Sequence, residues 1–316
     1  MNGNTSMSVI VSGSMAFDNI MNFQDKFKNH ILPDKVHMLN ISFLTPKLRR
    51  EFGGCAGNIA YNLKLLGVDS RPLATVGSDF IPYNNWLEDK GVDCSLLKVI
   101  EEYYTAQAYI ITDQDDNQIT AFHPGAMEET HQTHVPDEEG IKIGIVSPNG
   151  REGMIQHAQQ FADLDIPFIF DPGQGLPMFG GSELLDFIEK ASWVAVNDYE
   201  LQMLMDKTGL STEDIAAKVG ALIVTLGPQG STIYTEGKKI GIEPAKADAI
   251  VDPTGCGDSY RAGLIFGLIN QYDWTTIGRI SSLMGAIKIA SAGTQNHSFT
   301  MDRFHQLYQE SFGSDF

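Results

Sequence analysis

The segment from Asp252 to Gly263, with the sequence DPTGCGDSYRAG, contains the residues best suited to chemistry in this chain. It opens a predicted apolar helix, and Gly255 and Gly257 allow successive backbone N–H groups to point at one spot. That spot lies at the positive end of the helix, where an anion is stabilised. Such a cradle can hold the charge that develops on a transferring phosphoryl group, and Asp258 beside it could accept a proton from an attacking hydroxyl. A glycine-rich helix start with Asp258 as a favourable first-turn carboxylate explains the same residues.

Two other segments carry polar side chains suited to a ligand with several hydroxyl groups. In FGGCAGN, Gly53 and Gly54 permit a close approach to the backbone, and Asn58 offers both a donor and an acceptor. Asp18, which follows the first predicted strand, could accept two hydrogen bonds from vicinal hydroxyls. The structural alternatives are a glycine turn with a solvent-facing Asn58, and a helix or turn cap at Asp18.

Asn197 and Glu200, in the sequence NDYE, follow a predicted strand and begin a predicted helix. At this i, i+3 spacing they could hold a water shell around Mg²⁺, which keeps several waters and takes few protein oxygens. An Asn at the N-cap with a Glu three residues later is also the pattern of a capping box. Taken alone the pattern favours the cap, although both roles can hold at once.

Two glycine-containing segments near the carboxyl-terminal half suit a nucleotide. In VTLGPQGS, Thr225, Gly227 and Gly230 could line a nucleotide groove, and a tight hairpin explains the same glycines. Asn296 lies in the polar tail that follows Gly293, and this tail could contact the edge of an adenine.

Short apolar runs alternate with helical stretches along most of the chain. This pattern predicts an α/β fold, with a mostly parallel sheet covered by helices on both faces. The predicted strands are 8–11, 73–76, 143–146, 168–170, 193–196, 222–226 and 231–234. The predicted helices lie near 56–66, 151–163, 182–190, 198–207, 212–219, 256–270 and 275–291.

The alternation of strands and helices is interrupted at residues 22–50 and 97–123. These segments contain short pieces in which apolar and polar residues alternate, such as 37–43 and 106–111. Alternation of this kind predicts antiparallel strands outside the parallel sheet. We infer a small β lid that closes over a site at the sheet edge, with two decorating hairpins as the alternative. The predicted α/β core then comprises residues 7–21, 51–96 and 124–316.

Composition and charge exclude several classes of function. With 40 acidic and 22 basic residues the formal net charge is −18, which repels nucleic acid and acidic membranes. Three cysteines without zinc-type spacing fit a reducing cytoplasm. P-loop, G-x-G-x-x-G and G-x-S-x-G motifs are all absent, which argues against those nucleotide-binding and hydrolase classes.

Taken together, these segments resemble the ribokinase-like, or PfkB-type, family of ATP-dependent sugar and nucleoside kinases. The resemblance runs from 12–18 to 293–297 in the family's order, and the two family signatures are 53–58 and 252–258. Pro253 stands where many members carry Thr, and Cys256 where Ala is commoner. The implied fold is a doubly wound, mostly parallel α/β domain with a small antiparallel β lid.

The resemblance also implies a role for each matching residue. Asp258 is the implied catalytic base, and the backbone of Gly255, Cys256 and Gly257 is the implied anion hole. The residues implied to bind the sugar hydroxyls are Asp18, Gly54 and Asn58. ATP and Mg²⁺ are the implied cofactors: Asn197 and Glu200 organise Mg²⁺ through water, and Thr225, Gly227 and Gly230, with Asn296, contact the nucleotide. Asp252 and Thr254 match positions that in several members help to bind a monovalent cation, so K⁺ is a further candidate.

Within the family, the stretches 52–62, 147–153, 171–174 and 293–297 look most like bacterial adenosine or broad nucleoside kinases. The sequence therefore predicts phosphorylation of the 5′-hydroxyl of a nucleoside, with adenosine as the first choice. A free-sugar kinase of the ribokinase or fructokinase type is the alternative, and a nucleotide-binding paralogue without turnover is a third. The expected partner is this small molecule, bound by a monomer or by a homodimer formed through the lid. The candidates to stack on the base are Phe43, Tyr104, Phe122, Met15 and Phe17.

Overall fold

The computed structural model of the protein describes residues 8–31, 41–115 and 117–316. Its strands are β1 (Ser8–Ser12), β2 (Ala16–Asn22), β3 (Leu48–Gly53), β4 (Asp69–Gly77), β5 (Leu97–Ile100), β6 (Ala106–Thr112), β7 (Gln118–His123), β8 (Ile141–Val146), β9 (Phe168–Phe170), β10 (Trp193–Asn197), β11 (Ala221–Thr225), β12 (Ser231–Thr235) and β13 (Lys238–Ile242). Its α-helices are α1 (Cys55–Leu65), α2 (Ile81–Asp89), α3 (Arg151–Asp163), α4 (Gly181–Lys190), α5 (Asp198–Thr208), α6 (Thr212–Lys218), α7 (Cys256–Ile269), α8 (Trp274–Ile289) and α9 (Met301–Phe312).

The larger sheet has nine strands in the order β13-β12-β11-β10-β9-β8-β1-β4-β5. All neighbouring pairs from β10–β11 to β4–β5 are parallel, and at one edge the pairs β11–β12 and β12–β13 are antiparallel. The chain leaves β1 toward β4 on one side and returns to β8 on the other. This reversal opens a crevice at the carboxyl ends of the strands, the place where ligands bind in doubly wound sheets.

The central strands of this sheet are buried on both faces because helices cover both. In β1, Val9, Ile10 and Val11 are all fully buried. Val9 and Val11 belong to the apolar cluster that includes residues of α1 and α7. Ile10 belongs to the opposite cluster, with residues of α3, α4 and α5. The predicted doubly wound α/β architecture is confirmed.

The smaller sheet has four strands in the order β3-β2-β6-β7. β2 pairs antiparallel with β3, and β6 with β7, but β2 and β6 run parallel because a long stretch of the core separates them in the chain. The predicted small antiparallel sheet is confirmed, and its central pair, β2 and β6, is parallel. Residues 32–40 and 116 of the predicted lid segments lie outside the described part of the chain. Part of the alternating piece 37–43 is among them.

The predicted division into core and lid stays a prediction, but sheet membership differs from it at two places. Residues 16–21, which that division places with the core, form most of β2, and β2 belongs to the smaller sheet together with β3. Residues 97–100, placed with the lid, form β5 and pair parallel with β4 in the larger sheet. Among the described residues, none of the helices combines the length and apolar character that a membrane crossing requires.

Candidate active site

A cleft of about 720 Å³ lies at the carboxyl ends of the parallel strands and is covered on one side by the smaller sheet. Its walls include side chains of β2, β6 and β7 from the smaller sheet and the first turn of α7 from the core. Most of the residues singled out from the sequence line it, namely Asp18, Gly54, Asn58, Asn197, Glu200, Thr225, Thr254, Gly255, Gly257 and Asp258. One cavity therefore brings together segments that are far apart in the chain.

The start of α7 has the geometry of an anion cradle. Gly255 is the N-cap and has a left-handed backbone (φ 78°), which a residue with a side chain rarely adopts. A Cβ added at Gly257 would meet no atom within 4 Å among the described residues, so the space above this turn is open. Asp258 lies in the first turn, beside the N–H groups of the helix start, of which that of Cys256 donates to the carbonyl of Pro253 over 3.2 Å.

The Asp258 carboxylate is held by a chain of side-chain hydrogen bonds. Asn58 Nδ2 donates to Asp258 Oδ2 over 2.7 Å. Asn58 Oδ1 in turn accepts from Gln295 Nε2 (3.0 Å), and Gln295 Oε1 accepts from Trp86 Nε1 (3.1 Å). Because the indole can only donate, this chain fixes which end of each amide faces its neighbour, so Asn58 presents its NH₂ group to Asp258. Gln295 was not among the site residues predicted from the sequence.

Burial raises the pKa of Asp258 to about 7, and the negative charge of Asp171 acts in the same direction. The hydrogen bond from Asn58 and the positive charge of Arg261 oppose this shift. A carboxylate with a pKa near neutrality is suited to accept a proton from a hydroxyl and to release it afterwards.

Arg261 and Asp171 form a buried ion pair on the wall of the cleft. Arg261 donates to Asp171 Oδ1 over 2.9 Å and to the carbonyl of Ala195 over 3.3 Å, and both side chains are almost fully buried. Sequence reasoning assigned neither residue a role. A signal was present, since Arg261 is the one charged residue in the apolar stretch from Ser259 to Ile269, and a buried arginine needs an anionic partner.

Asp18 lies on β2 with its carboxylate facing the glycines at the start of α1. A Cβ at Gly53 would lie 2.5 Å from Asp18 Oδ2, so a side chain there would displace this carboxylate. Gly54 has φ 86°, and a Cβ there would lie 2.5 Å from the carbonyl of Ser14. Burial raises the pKa of Asp18 to about 6, helped by the charges of Asp252 and Glu51, and no hydrogen bond from the described residues opposes it. A donor from a ligand would satisfy this carboxylate.

Asn197 and Glu200 form a capping box at the start of α5. Asn197 Oδ1 accepts from the Glu200 N–H (2.7 Å), and Glu200 Oε2 accepts from the Asn197 N–H (2.8 Å). Both residues also line the cleft. Burial, with the charge of Asp171, raises the pKa of Glu200. The two residues therefore cap α5. Because both also line the cleft, they can in addition contact a ligand there.

Five of the predicted site residues do not line the cleft: Asp252, Cys256, Gly227, Gly230 and Asn296. Gly230 has φ 88°, and a Cβ there would lie 2.1 Å from the carbonyl of Ile242, so the hairpin between β11 and β12 itself requires this glycine. Asn296 donates to Glu51 Oε2 over 2.9 Å on the surface. Burial raises the pKa of the Cys256 thiol to about 11, which keeps it protonated at neutral pH. Their proposed ligand roles remain predictions.

An apolar part of the cleft lies between the two sheets. It is formed by Ile110 and Phe122 from β6 and β7 and by Met127 and Met178 from the core. Of the side chains predicted to stack on a base, Phe122 is the one that lines the cleft. Met15 and Phe17 are buried in the core, Tyr104 is exposed away from the cleft, and Phe43 packs against Phe23 and Phe27.

Several known proteins resemble this chain in sequence and fold. The sequence profile of the pfkB family carbohydrate kinases matches residues 16–301. A nucleoside kinase of Methanocaldococcus jannaschii is 35% identical over 266 residues, which cover 84% of this chain and 87% of that protein. The structure of Burkholderia thailandensis nucleoside kinase in complex with inosine superposes with a TM-score of 0.89 at 46% identity, covering 97% of this chain and 99% of that chain. A ribokinase of Cryptococcus neoformans var. grubii serotype A, in complex with ADP, has the same fold at 20% identity (TM-score 0.75, covering 95% of this chain and 99% of that chain). This chain belongs to the pfkB family of carbohydrate kinases.

Proposed function

We propose that this protein transfers the γ-phosphoryl group of ATP to the 5′-hydroxyl of a nucleoside, with adenosine as the acceptor. The observation that carries the proposal is the single cleft that holds Asp18, Asn58 and Asp258 beside the start of α7, with Asn58 bonded to Asp258 over 2.7 Å. It is supported by Burkholderia thailandensis nucleoside kinase, whose solved structures contain inosine and ADP–inosine.

In the proposed reaction each of the following groups has a separate task. Asp18 accepts hydrogen bonds from the ribose hydroxyls and orients the sugar, so that its 5′-oxygen faces Asp258. Asp258 takes the proton of that hydroxyl as the oxygen forms its bond to the γ-phosphorus and the bond to the β–γ bridging oxygen breaks, which leaves ADP. The N–H groups at Gly255, Cys256 and Gly257 stabilise the charge on the transferring group.

The residues at the cleft fit Mg²⁺ that is held mainly by the nucleotide. Among the described residues, no group of three or more His, Cys, Asp and Glu side chains could form an all-protein metal site. Glu200 uses Oε2 in the capping box, and its Oε1 accepts no hydrogen bond from those residues. Mg²⁺ typically takes one or two carboxylates together with substrate phosphates and waters. Asn197 and Glu200 would hold it through water, and it would neutralise charge on the phosphates.

The apolar part of the cleft favours a nucleoside over a free sugar. Ile110, Phe122, Met127 and Met178 offer a surface on which a planar base can pack, beyond the position of Asp18. A free pentose would leave this surface in contact with water.

The three cysteines are free thiols, which supports the cytoplasm, where ATP is abundant, as the location of this activity.

The proposal is tested by measuring ADP release from ATP and Mg²⁺ with a panel of adenosine, inosine, cytidine, ribose and fructose. We expect kcat/KM for adenosine to exceed that for ribose by at least about 100-fold, because the base adds buried contact area. Identification of AMP as the product establishes the 5′-position. Preference for ribose or fructose would favour the sugar-kinase alternative, and ATP binding without ADP release on any acceptor would favour the non-catalytic one.

The smaller sheet also bears on the oligomeric state. The outer strand β7 is exposed along its whole length, and Ile119 and Phe122 on it are among the exposed large apolar side chains. An open apolar edge strand of this kind favours pairing with a second copy, so we propose the homodimer through the lid. Sedimentation equilibrium of the wild type and of an Ile119→Lys variant distinguishes it from a monomer.

A further inference from the structure

Lys288, near the end of α8, is fully buried although it carries a charged amine. Its Nζ donates to the backbone carbonyl of Asp252 over 2.7 Å and to that of Ser291 over 3.2 Å. A lysine is almost never fully buried without partners, and here the partners are carbonyl oxygens of two loops that meet behind the anion cradle. The ammonium thus links the loop that leads into α7 with the loop that leaves α8.

The Asp252 carboxylate is already satisfied by the same two loops. Its Oδ1 accepts from the Thr254 N–H (2.9 Å), and its Oδ2 accepts from the Gly293 N–H (2.9 Å). Burial acts to raise the pKa of Asp252, but these backbone hydrogen bonds and the positive charge of Lys288 outweigh it and hold the pKa below its usual value. Asp252 is therefore an ionised group whose countercharge comes from this chain itself.

These contacts do not fit the K⁺ that the family resemblance implies at Asp252 and Thr254. A monovalent cation at that place would need the loop carbonyls and the carboxylate as ligands, since K⁺ is bound by rings of oxygen atoms. The carbonyl of Asp252 already accepts from an ammonium, which supplies the same single positive charge. A second monocation beside it would be repelled over a few ångströms in a buried setting.

We infer that the ammonium of Lys288 takes the place of the monovalent cation at the Asp252 loop, so that this enzyme works without K⁺. The inference rests on the proposed phosphoryl transfer for its kinetic consequence only. Lys288 does not line the cleft and acts as a positioning residue: it fixes the loop that continues into Gly255, where a Cβ would lie 3.1 Å from Thr294 Cγ2 in the neighbouring loop. The cradle is then ordered before a nucleotide arrives.

The first test uses the wild-type protein at constant ionic strength in KCl, NaCl or tetramethylammonium chloride. We expect the rate of ADP release to vary by less than about twofold among the three salts, because the ammonium of Lys288 already occupies the place of the small cation at the Asp252 loop. A fivefold or larger activation by K⁺ over tetramethylammonium would overturn the inference. This outcome does not depend on whether any variant folds.

The second test uses Lys288→Met, which keeps most of the side-chain volume and removes the charge, with the exposed Lys218→Met as its matched control. In tetramethylammonium chloride we expect kcat of Lys288→Met to fall about tenfold or more, since the half-buried Asp252 carboxylate loses its countercharge and the Asp252 carbonyl loses its donor. K⁺ or NH₄⁺ should restore at least half of the lost rate, and neither should affect the wild type or Lys218→Met. Loss of rate without recovery in either salt would contradict the inference.

Thermal unfolding without substrate separates this inference from the proposed function. We expect the Tm of Lys288→Met to rise with K⁺ concentration, as it does when a ligand binds the folded state, while the Tm of the wild type and of Lys218→Met does not. If no acceptor in the panel releases ADP, the proposed function fails, and this Tm comparison still decides the inference. A K⁺-dependent Tm in the wild type alone would overturn it.

Discussion

The side-chain amide of Asn58 donates a 2.7 Å hydrogen bond to the carboxylate of Asp258, a residue 200 positions further along the chain. The bond joins the first turn of α1 to the first turn of α7 across the cleft. A donor directed at a carboxylate stabilises its ionised form, and here it opposes the large effect of burial. The outcome is a carboxylate with a pKa of about 7, fixed in position and partly ionised at neutral pH.

Asp258→Asn tests the role of this carboxylate directly. The amide keeps the shape of the side chain and an acceptor for Asn58 but cannot take a proton. We expect kcat to fall by a factor of about 1,000 and KM to change by less than about threefold, since a general base acts in the transition state and not in binding. Steady-state kinetics measures both, with the exposed Asp206→Asn as control. Near-normal turnover of a folded Asp258→Asn variant would remove the base assignment.

The pH dependence of kcat/KM should report two carboxylates. Asp258 acts only when ionised, so activity rises with pH through its pKa of about 7 and then levels off. Asp18 binds hydroxyls best as a carboxylate, and its pKa is about 6. We therefore expect log kcat/KM to fall with a slope of about 1 below pH 7 and to approach about 2 below pH 6. Measurement between pH 5 and 9 checks this, and a flat profile from pH 5 to 7 would contradict it.

Local patterns in the sequence predicted the parts of the site that depend on neighbouring residues. The glycines before Asp258 predicted where α7 begins, and the spacing of Asn197 and Glu200 predicted the capping box at α5. Buried apolar runs such as 168–170 and 193–196 predicted the parallel strands, because a strand covered on both faces must be apolar throughout.

Contacts between distant segments were not predictable from such patterns. Arg261 reaches Asp171 from 90 positions away, and Lys288 reaches the carbonyl of Asp252 from 36 positions away. The membership of β2 in the smaller sheet likewise depends on pairing with β6, a strand that lies far along the chain. Tertiary pairing of this kind leaves only an indirect signal in the sequence, such as a charged residue inside an apolar helix. The ion-pair partners at the site could therefore be identified only from the structure.

Gln295→Leu tests whether the hydrogen-bond chain positions Asn58. Without the Gln295 donor, the Asn58 amide is free to rotate and its hydrogen bond to Asp258 weakens, so we expect the pKa seen in the kcat/KM profile to rise above 7. At pH 7 the rate should drop about tenfold, whereas a loss of packing alone would lower stability and leave the profile in place. Gln306→Leu, on the exposed face of α9, is the control. An unchanged profile would show that Asn58 holds its orientation without Gln295.

Gly257→Ala tests whether the start of α7 receives the phosphoryl group. The added methyl group meets no described atom within 4 Å and the residue has no positive φ, so the Tm should stay within about 2 °C of the wild type. The methyl group would stand where the phosphates approach the N–H groups, and we expect kcat to fall about tenfold or more. Gly241→Ala, equally open and at the exposed edge strand β13, should leave both quantities unchanged. Full activity of Gly257→Ala would place the phosphoryl group elsewhere.

Arg261→Met tests the buried ion pair on the cleft wall. Removing Arg261 leaves the Asp171 carboxylate buried without its partner, which should lower the free energy of unfolding by about 3–5 kcal/mol. The exposed pair of Lys218 and Glu189 offers the control, because Lys218→Met should change stability by less than about 1 kcal/mol.

The double variant Arg261→Met, Asp171→Leu separates the cost of the unpaired charge from the cost of lost packing. We expect it to recover part of the stability in urea denaturation, since no buried charge remains. The double variant also removes two charges near Asp258, the positive charge of Arg261 and the negative charge of Asp171. Because these charges shift the pKa of Asp258 in opposite directions, the acid limb of the pH–activity profile should move less than in Arg261→Met alone. If Arg261→Met proved as stable as Lys218→Met, the pair would have no structural role, and its position beside Asp258 would have to be explained by catalysis alone.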